Sequence, residues 1–423
     1  MKKTLLIKNA FLIDPDEIYT GKNDLLIQNG RIHQIGSIKE SAESVLDARG
    51  LHLAPGLVDM HVHLRDPGQT WKETIETGAA AALAGGVTSV AAMPNTTPVA
   101  DSPAVLAYEL KKAKQTGVHL YPIAAVSKGQ NGEEQTDFKA LVESGAVAFS
   151  DDGHPVKDAA RMLKAMCTAY ALGKKVISHC EDKSLAKNGI MSEESGRRLG
   201  FPGVPAVAET VQAAREIVLA EAAGVPVHIA HVSSRHTVAI LRDAKKRGVP
   251  VTCETCPHYF SLDDSLLSKR DADYRMNPPL QGKEDVRAVI AGLVDGTIDA
   301  IVTDHVPHAA EEKADFEKAP NGVVGLETSL AAGVTYLVKP GYLTLAQLIK
   351  KMSTVPASLL GIDAGHLTIG ARADLVLFDP DKIWTVYPEK LHSKSHNTPY
   401  KNKQLYGSIQ FTISDGNVRF SNC

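Results

Sequence analysis

The sequence predicts an α/β protein, a (β/α)8 TIM barrel with a small β-sandwich domain built from both termini. Three observations carry this. Two β-rich ends enclose a middle of different texture. That middle alternates short apolar runs with amphipathic stretches eight times. No glycine-rich dinucleotide loop opens any of its helices, as a doubly wound open sheet would require. The expected divisions are 1–54 and 366–423 for the two parts of the β domain and 55–365 for the barrel.

The amino-terminal part reads LLIKNAFLID, DLLIQNGRIHQIG and SVLDARGLHLAPG, with Asn29-Gly30 and Arg49-Gly50 placed as hairpin turns would be. The same texture returns in GHLTIGARADLVLFDP and GSIQFTISDGNVRF, where Asp415-Gly416 reads as another hairpin turn. Eight barrel strands are expected between them. The first four are LVDMHVHL (57–64), VTSVAAMP (87–94), VHLYPIAAV (118–126) and AVAFSDD (146–152). The others are KVISHC (175–180), VPVHIAHV (225–232), VPVTCET (249–255) and DAIVTDH (299–305). Amphipathic stretches such as KETIETGAAAALAGG and VAETVQAAREIVLAEAAG supply the helices, the first closed by a Gly pair.

Composition bounds the function. A chain of 423 residues, 43% apolar and 22% charged, suits one large domain plus a smaller one. Lys plus Arg numbers 46 and Asp plus Glu 49, a net charge of −3, which leaves no surplus for a nucleic-acid or membrane partner. Lys8 and Asp14 interrupt the first apolar run short of a signal-peptide core, and no stretch approaches the roughly 18 apolar residues of a membrane span. Cys167, Cys180, Cys253, Cys256 and Cys423 are sparse and odd in number, as reduced thiols of a cytoplasmic protein are.

The chemistry sits at strand ends. His61 and His63, two apart on one strand, share a face and can reach one metal. Asp152 closes the fourth strand, His179 nearly closes the fifth, and His231 and Asp304 end the sixth and eighth. Barrel enzymes place their sites at these carboxyl ends. Imidazole and carboxylate without thiolate suit zinc, with manganese or cobalt as substitutes. Six ligands exceed one tetrahedral catalytic zinc and suit two metals sharing a carboxylate and a hydroxide. The pleat also distinguishes neighbouring aspartates. Val147, Phe149 and Asp151 share one face, and the smaller Ala148, Ser150 and Asp152 share the other. The small set suits an interior with room for metals and substrate, so Asp152 is the expected bridge and Asp151 a partner of nearby backbone.

The segment DMHVHLRDPG (59–68) resembles the amino-terminal signature of dihydroorotases in the amidohydrolase superfamily, and VTDHVPHAAEEK (302–313) resembles their second signature, with Val306 where alanine is usual. AAMPNT (91–96), AFSDDG (148–153), SHCED (178–182), HVSS (231–234) and MNPPL (276–280) are similar to the bacterial type I branch, so the likeness spans nearly the whole chain. It implies two zinc ions per chain, the first on His61, His63, Asp152 and Asp304, the second on His179 and His231 with Asp152 bridging. It implies conversion of N-carbamoyl-L-aspartate to (S)-dihydroorotate and water in de novo pyrimidine biosynthesis, with a bridging hydroxide as nucleophile and Asp304 as general acid and base. Arg65 would bind the substrate carboxylate, beside Asn95 and His308, with Asn277, Asn321 and Gly322 touching the ring and His63 also facing substrate. The stretch 309–325 is a candidate lid. A homodimer and an association with aspartate transcarbamoylase are further implications.

Two alternatives stay open. One is a hydantoinase or allantoinase, against which stand Arg65 and an aspartate where those families carry a carboxylated lysine. The other is a non-catalytic barrel serving as a partner subunit, although such relatives lose ligands that this chain keeps. Cys253 and Cys256 read as buried thiols and not as a zinc knuckle. His228 is expected to face away from His231, packed under a helix. His258 and His305 lie near the site without a role, and His52, His119, His154, His236, His366, His392 and His396 read as surface or loop residues. RDAKKRG (242–248) reads as a solvated helix end.

Overall fold

The computed structural model describes residues 3–422. Cys423 lies outside them; Cys167, Cys180, Cys253 and Cys256 are all free thiols. The amino-terminal strands are β1 (Thr4–Ile13), β2 (Thr20–Gln28), β3 (Arg31–Gly36), β4 (Ser44–Asp47) and β5 (His52–Pro55). The barrel strands are β6 (Leu57–Val62), β7 (Val87–Ala92), β8 (His119–Ala124), β9 (Ala148–Phe149), β10 (Val176–Ser178), β13 (Val227–Ile229), β14 (Val251–Thr255) and β15 (Ala300–Ile301). A small pair, β11 (Met191–Ser192) and β12 (Gly203–Val204), lies between them in sequence. The chain ends with β16 (Leu375–Thr385), β17 (Gln404–Ser414) and β18 (Asn417–Ser421).

The barrel strands pair in sequence order, all parallel, and a bridge between Val62 and His305 returns the last to the first. This is the (β/α)8 barrel that the sequence predicts. Both termini build one sheet in the order β18-β17-β16-β5-β1-β2-β3 with β4 on β1, around its own apolar core of Ile7, Leu25, Ile27, Leu53, Leu375 and Leu377. This is the sandwich of both termini. Asn29 and Gly30, with φ of 52° and 78°, form the tight turn between β2 and β3. Asp415 and Gly416, with φ of 49° and 70°, do the same between β17 and β18. Arg49-Gly50 does not close a hairpin. β4 and β5 both run parallel to β1, opposite Leu5–Lys8 and Phe11–Leu12, so the chain jogs along one edge without reversing.

The helix α1 (Ile75–Ala84) starts where the Thr74 hydroxyl accepts from the Thr77 amide, and its Ala-rich face is buried. Gly85 and Gly86 end it, Gly86 at a φ of 81°. Next come α2 (Pro103–Ala113), α3 (Phe138–Glu143), α4 (Ala159–Ala171), the short α5 (Lys183–Ala186) and α6 (Glu193–Leu199), and α7 (Val207–Ala223), which Gly224 closes at a φ of 65°. Among the described residues, no helix is long and apolar enough to cross a membrane.

Two histidines are not where the sequence suggests. His119 opens β8 at the amino-terminal rim of the barrel, its Nε2 3.1 Å from Asp374 Oδ2 and its Nδ1 3.3 Å from Arg372 Nη1. It ties barrel to sandwich. His52 is a half-buried residue of β5 whose ring lies 5.5 Å from that of Phe11 and 6.0 Å from that of Phe378. Isolated polar letters at strand edges read as loop until the seam they face is known.

Candidate active site

Regular pairing stops early in several barrel strands, and the freed residues form the mouth. Arg65, His231 and Asp304 follow β6, β13 and β15 with φ of 60°, 34° and 46°. Left-handed backbone at three non-glycine residues of one site is strain that the surroundings must hold in place. It aims three side chains at one point.

The six expected ligands converge there. His63 Nε2 lies 3.2 Å from Asp304 Oδ1 and 3.4 Å from Asp152 Oδ2. His61 Nε2 lies 3.3 Å from Asp304 Oδ1 and 3.6 Å from Asp152 Oδ1. His179 Nδ1 and His231 Nε2 lie 3.4 and 3.5 Å from Asp152 Oδ1 and 2.8 Å from each other. All six are buried. Burial alone would push Asp152 up, but the charge of His61 and the imidazoles of His179 and His231 beside it hold it well below the usual carboxylate range. Asp304 is likewise held down, burial being overcome by His61 and His63. Burial opposes protonation of His61, yet Asp304, Asp152 and Glu254 together raise it well above its ordinary value. Burial also opposes protonation of His179, and hydrogen bonds with Asp152 and Glu181 take it up to about 9. His63 is lowered by burial, with the Arg65 charge adding to it.

The carboxylates thus call for positive charge at the centre of the cluster, and bound metal would displace imidazolium protons. The donor set fits. His61 Nε2 and Asp152 Oδ1 are buried and make no hydrogen bond among the described residues. Two ligands about 2.1 Å from one ion at a tetrahedral angle stand about 3.4 Å apart, which is the spacing seen here. Ligand atoms of His61, His63 and Asp304 fall within 4.8 Å of one another, as do those of His61, Asp152 and His231.

The residues expected to meet substrate surround this cluster. Arg65 is buried, its pKa pulled down to about 10 by that burial, and its Nε makes no hydrogen bond among the described residues. It arrives by the left-handed turn and not by strand alternation, because β6 has ended at Val62. Asn95 Nδ2 donates to the Asp152 carbonyl at 2.7 Å. Asn277 Nδ2 lies 3.1 Å from Glu181 Oε2 and 3.4 Å from His179 Nε2. His308 Nε2 donates to the Asn321 carbonyl at 3.0 Å, and its Nδ1 faces Lys72 Nζ at 3.4 Å. Burial, then the charges of Arg65 and Lys72, press the His308 pKa down to about 2, so the ring is neutral. Asn321 Oδ1 accepts from Arg275 Nε at 3.3 Å. Gly322 has a φ of 137°, and a side chain there would meet Val306 Cγ1 at 2.3 Å.

The structure corrects the reading of His228 and adds residues that the sequence hides. His228 is wholly buried inside the barrel, its Nδ1 2.8 Å from Thr252 Oγ1 and its Nε2 3.2 Å from Glu254 Oε2. A spacing of three predicts opposite faces for His228 and His231, but β13 ends at Ile229 and the left-handed His231 resets the alternation. Glu254 Oε1 meets His61 Nδ1 at 2.6 Å, and Glu181 Oε2 meets His179 Nε2 at 3.2 Å. Glu254 sits between Cys253 and Cys256, whose knuckle-like spacing masks a carboxylate on a barrel strand. Behind Asp304, His305 Nδ1 accepts from the Gly325 amide, and its Nε2 lies 3.3 Å from the buried Glu73. His258 is buried too, and burial takes its pKa down to about 4.

Residues 50–237 match the family described as Dihydro-orotase-like, and residues 284–420 the Amidohydrolase family. The chain is 49% identical over 418 residues to a dihydroorotase of Acetivibrio thermocellus, with 98% of each covered. It is 48% identical over 421 residues to a dihydroorotase of Syntrophus aciditrophicus, again with 98% of each covered. Among solved structures, an L-hydantoinase (dihydropyrimidinase) from Arthrobacter aurescens superposes with a TM-score of 0.89 at 25% identity, over 99% of this chain and 96% of that one. A dihydropyrimidinase from Brevibacillus agri does so with a TM-score of 0.85 at 26% identity, over 98% and 94%.

Proposed function

Because the chain belongs to the dihydroorotase family of amidohydrolases, we propose that it converts N-carbamoyl-L-aspartate reversibly to (S)-dihydroorotate and water. On this reading His61, His63, Asp152 and Asp304 would hold one zinc, and His179 and His231, with Asp152, would hold a second. When bound, such a pair lowers the pKa of a water from 15.7 to about 7 and polarises the ring carbonyl. Asp304 takes the proton of the attacking water and passes it to the departing amide nitrogen; ring closure runs the same transfers backwards. Asn95 steadies the Asp152 backbone, and Asn277 and the Asn321-Gly322 backbone border the ring.

The observation that carries the substrate is the Arg65 guanidinium. It is buried beside the ligand cluster, with Lys72 close to the neighbouring His308. A buried arginine is costly unless an anion pairs with it, and dihydroorotate brings a carboxylate outside its reacting ring. Hydantoin and allantoin bring none, which is why the hydantoinase reading comes second despite the shared fold.

The test is turnover of dihydroorotate, hydantoin and allantoin by zinc-replete protein, with metal analysis alongside. Turnover of hydantoin without dihydroorotate establishes the second reading, and no turnover of any of them establishes a non-catalytic barrel. The same reading carries a barrel over 55–365, a sandwich from 1–54 and 366–423, and a homodimer. Sedimentation of the protein, alone and with aspartate transcarbamoylase, tests the dimer and the association.

A further inference from the structure

The interior of a (β/α)8 barrel is ordinarily filled with layers of branched aliphatic side chains. Directly below the ligand cluster this barrel departs from that rule. His228 and Thr252 are lateral partners on β13 and β14, so their side chains share the inner face. Glu254 is two residues beyond Thr252 and therefore one level nearer the mouth on the same face. His228, Glu254 and His61 are each 0% exposed. A contiguous chain results: Thr252 Oγ1 to His228 Nδ1 at 2.8 Å, His228 Nε2 to Glu254 Oε2 at 3.2 Å, and Glu254 Oε1 to His61 Nδ1 at 2.6 Å.

A carboxylate without water is expensive, and an aliphatic residue of similar volume would fill the layer at less cost. What Glu254 provides is orientation. A carboxylate only accepts, so the bond obliges His61 Nδ1 to carry a hydrogen and leaves Nε2 as the atom aimed between Asp152 and Asp304. His228 Nε2 stands 3.2 Å from the second oxygen, without hydrogen-bond geometry, and its ring limits rotation of the carboxylate by packing against it. We propose that Glu254 is a positioning residue for the metal centre, fixing the tautomer and ring angle of His61, with His228 as its anchor. The proposal rests on the two-zinc reading above. Outer partners of metal-bound imidazole typically contribute about 10- to 100-fold in metal affinity.

Three measurements test it. Zinc affinity is read by competition with a chromophoric chelator on metal-stripped protein shown to be folded by circular dichroism. Glu254→Gln, which keeps the shape and loses the charge, should bind zinc about 10- to 100-fold more weakly, with kcat lowered and KM for dihydroorotate within about twofold of the parent. His228→Gln should weaken zinc binding less, because His61 keeps its partner. In the unaltered zinc-loaded protein with 15N-labelled histidine, His61 Nδ1 should carry a slowly exchanging, strongly deshielded proton. This readout is independent of whether either variant folds. An unprotonated Nδ1, or unchanged zinc affinity in Glu254→Gln, overturns the role of Glu254. An unaltered protein that takes up no zinc defeats the metal reading itself.

Discussion

Asp151 and Asp152, adjacent in sequence, turn their carboxylates to opposite sides of the barrel wall. Asp151 Oδ1 accepts from the amides of Val126 and Ser127 at 2.8 and 3.1 Å, whereas Asp152 lies 3.4 to 3.6 Å from four imidazoles. Asp152→Ala should therefore lose most bound metal and nearly all activity. Asp151→Ala should keep two zinc while losing about 1–3 kcal/mol of stability, since it strands two buried amides. Metal analysis and denaturant unfolding of the pair check this, and the reverse pattern would put the wrong aspartate in the site.

Arg65→Met should leave metal content unchanged and weaken substrate binding, because the guanidinium is buried beside the ligands and no metal role falls to it. Loss of a charge-assisted contact costs about 2–4 kcal/mol, read mainly in KM. Steady-state kinetics in both directions decide. Unaltered KM and kcat would remove Arg65 from the site.

Arg275 pins the segment that carries Asn321. Its Nη1 donates to the carbonyls of Phe316 and Glu317, the latter at 2.9 Å, and its Nε to Asn321 Oδ1 at 3.3 Å. Arg275→Ala should speed hydrogen exchange over 313–322 by about tenfold or more, each lost bond contributing about 1 kcal/mol. KM should rise and zinc binding should not change. Exchange as slow as in the parent would mean that Lys313, whose Nζ meets the carbonyls of Pro320 and Gly322 at 3.0 Å, holds the segment alone.

Glu109 on α2 is 2% exposed, and burial together with the nearby Asp66 charge raises its pKa well above the ordinary range. The folded protein therefore keeps a proton that the unfolded chain releases above about pH 4.3. Stability from this group is full below that pH and falls as pH rises toward the folded pKa, at about 1.4 kcal/mol per unit. Glu109→Gln removes the dependence. Its melting temperature relative to the parent should increase from pH 5 to pH 8, and parallel curves would refute the assignment.

Patterns with a short period are legible in the amino-acid sequence alone. The two-residue repeat of a strand predicts correctly that His61 and His63 meet and that Asp152 parts from Asp151, although regular pairing ends at Val62 in β6 and at Phe149 in β9. The glycine pairs that need positive φ mark the turns at Asn29-Gly30 and Asp415-Gly416. The Arg49-Gly50 pair misleads, since a turn's local chemistry does not reveal whether the strands on either side pair with each other or both with a third.

Periodicity and turn chemistry are local properties of a chain, so the barrel, the two-ended sandwich and the residue types at the strand ends are legible before any contact is known. The inward face of His228, the left-handed turn that brings Arg65 to the site and the contact of Glu254 with His61 across 193 residues become visible once the barrel is closed. The reason is physical. A single residue with positive φ resets the alternation on which strand reading depends, and a buried carboxylate is defined by its partner, which closure of the barrel brings to it from the far end of the sheet.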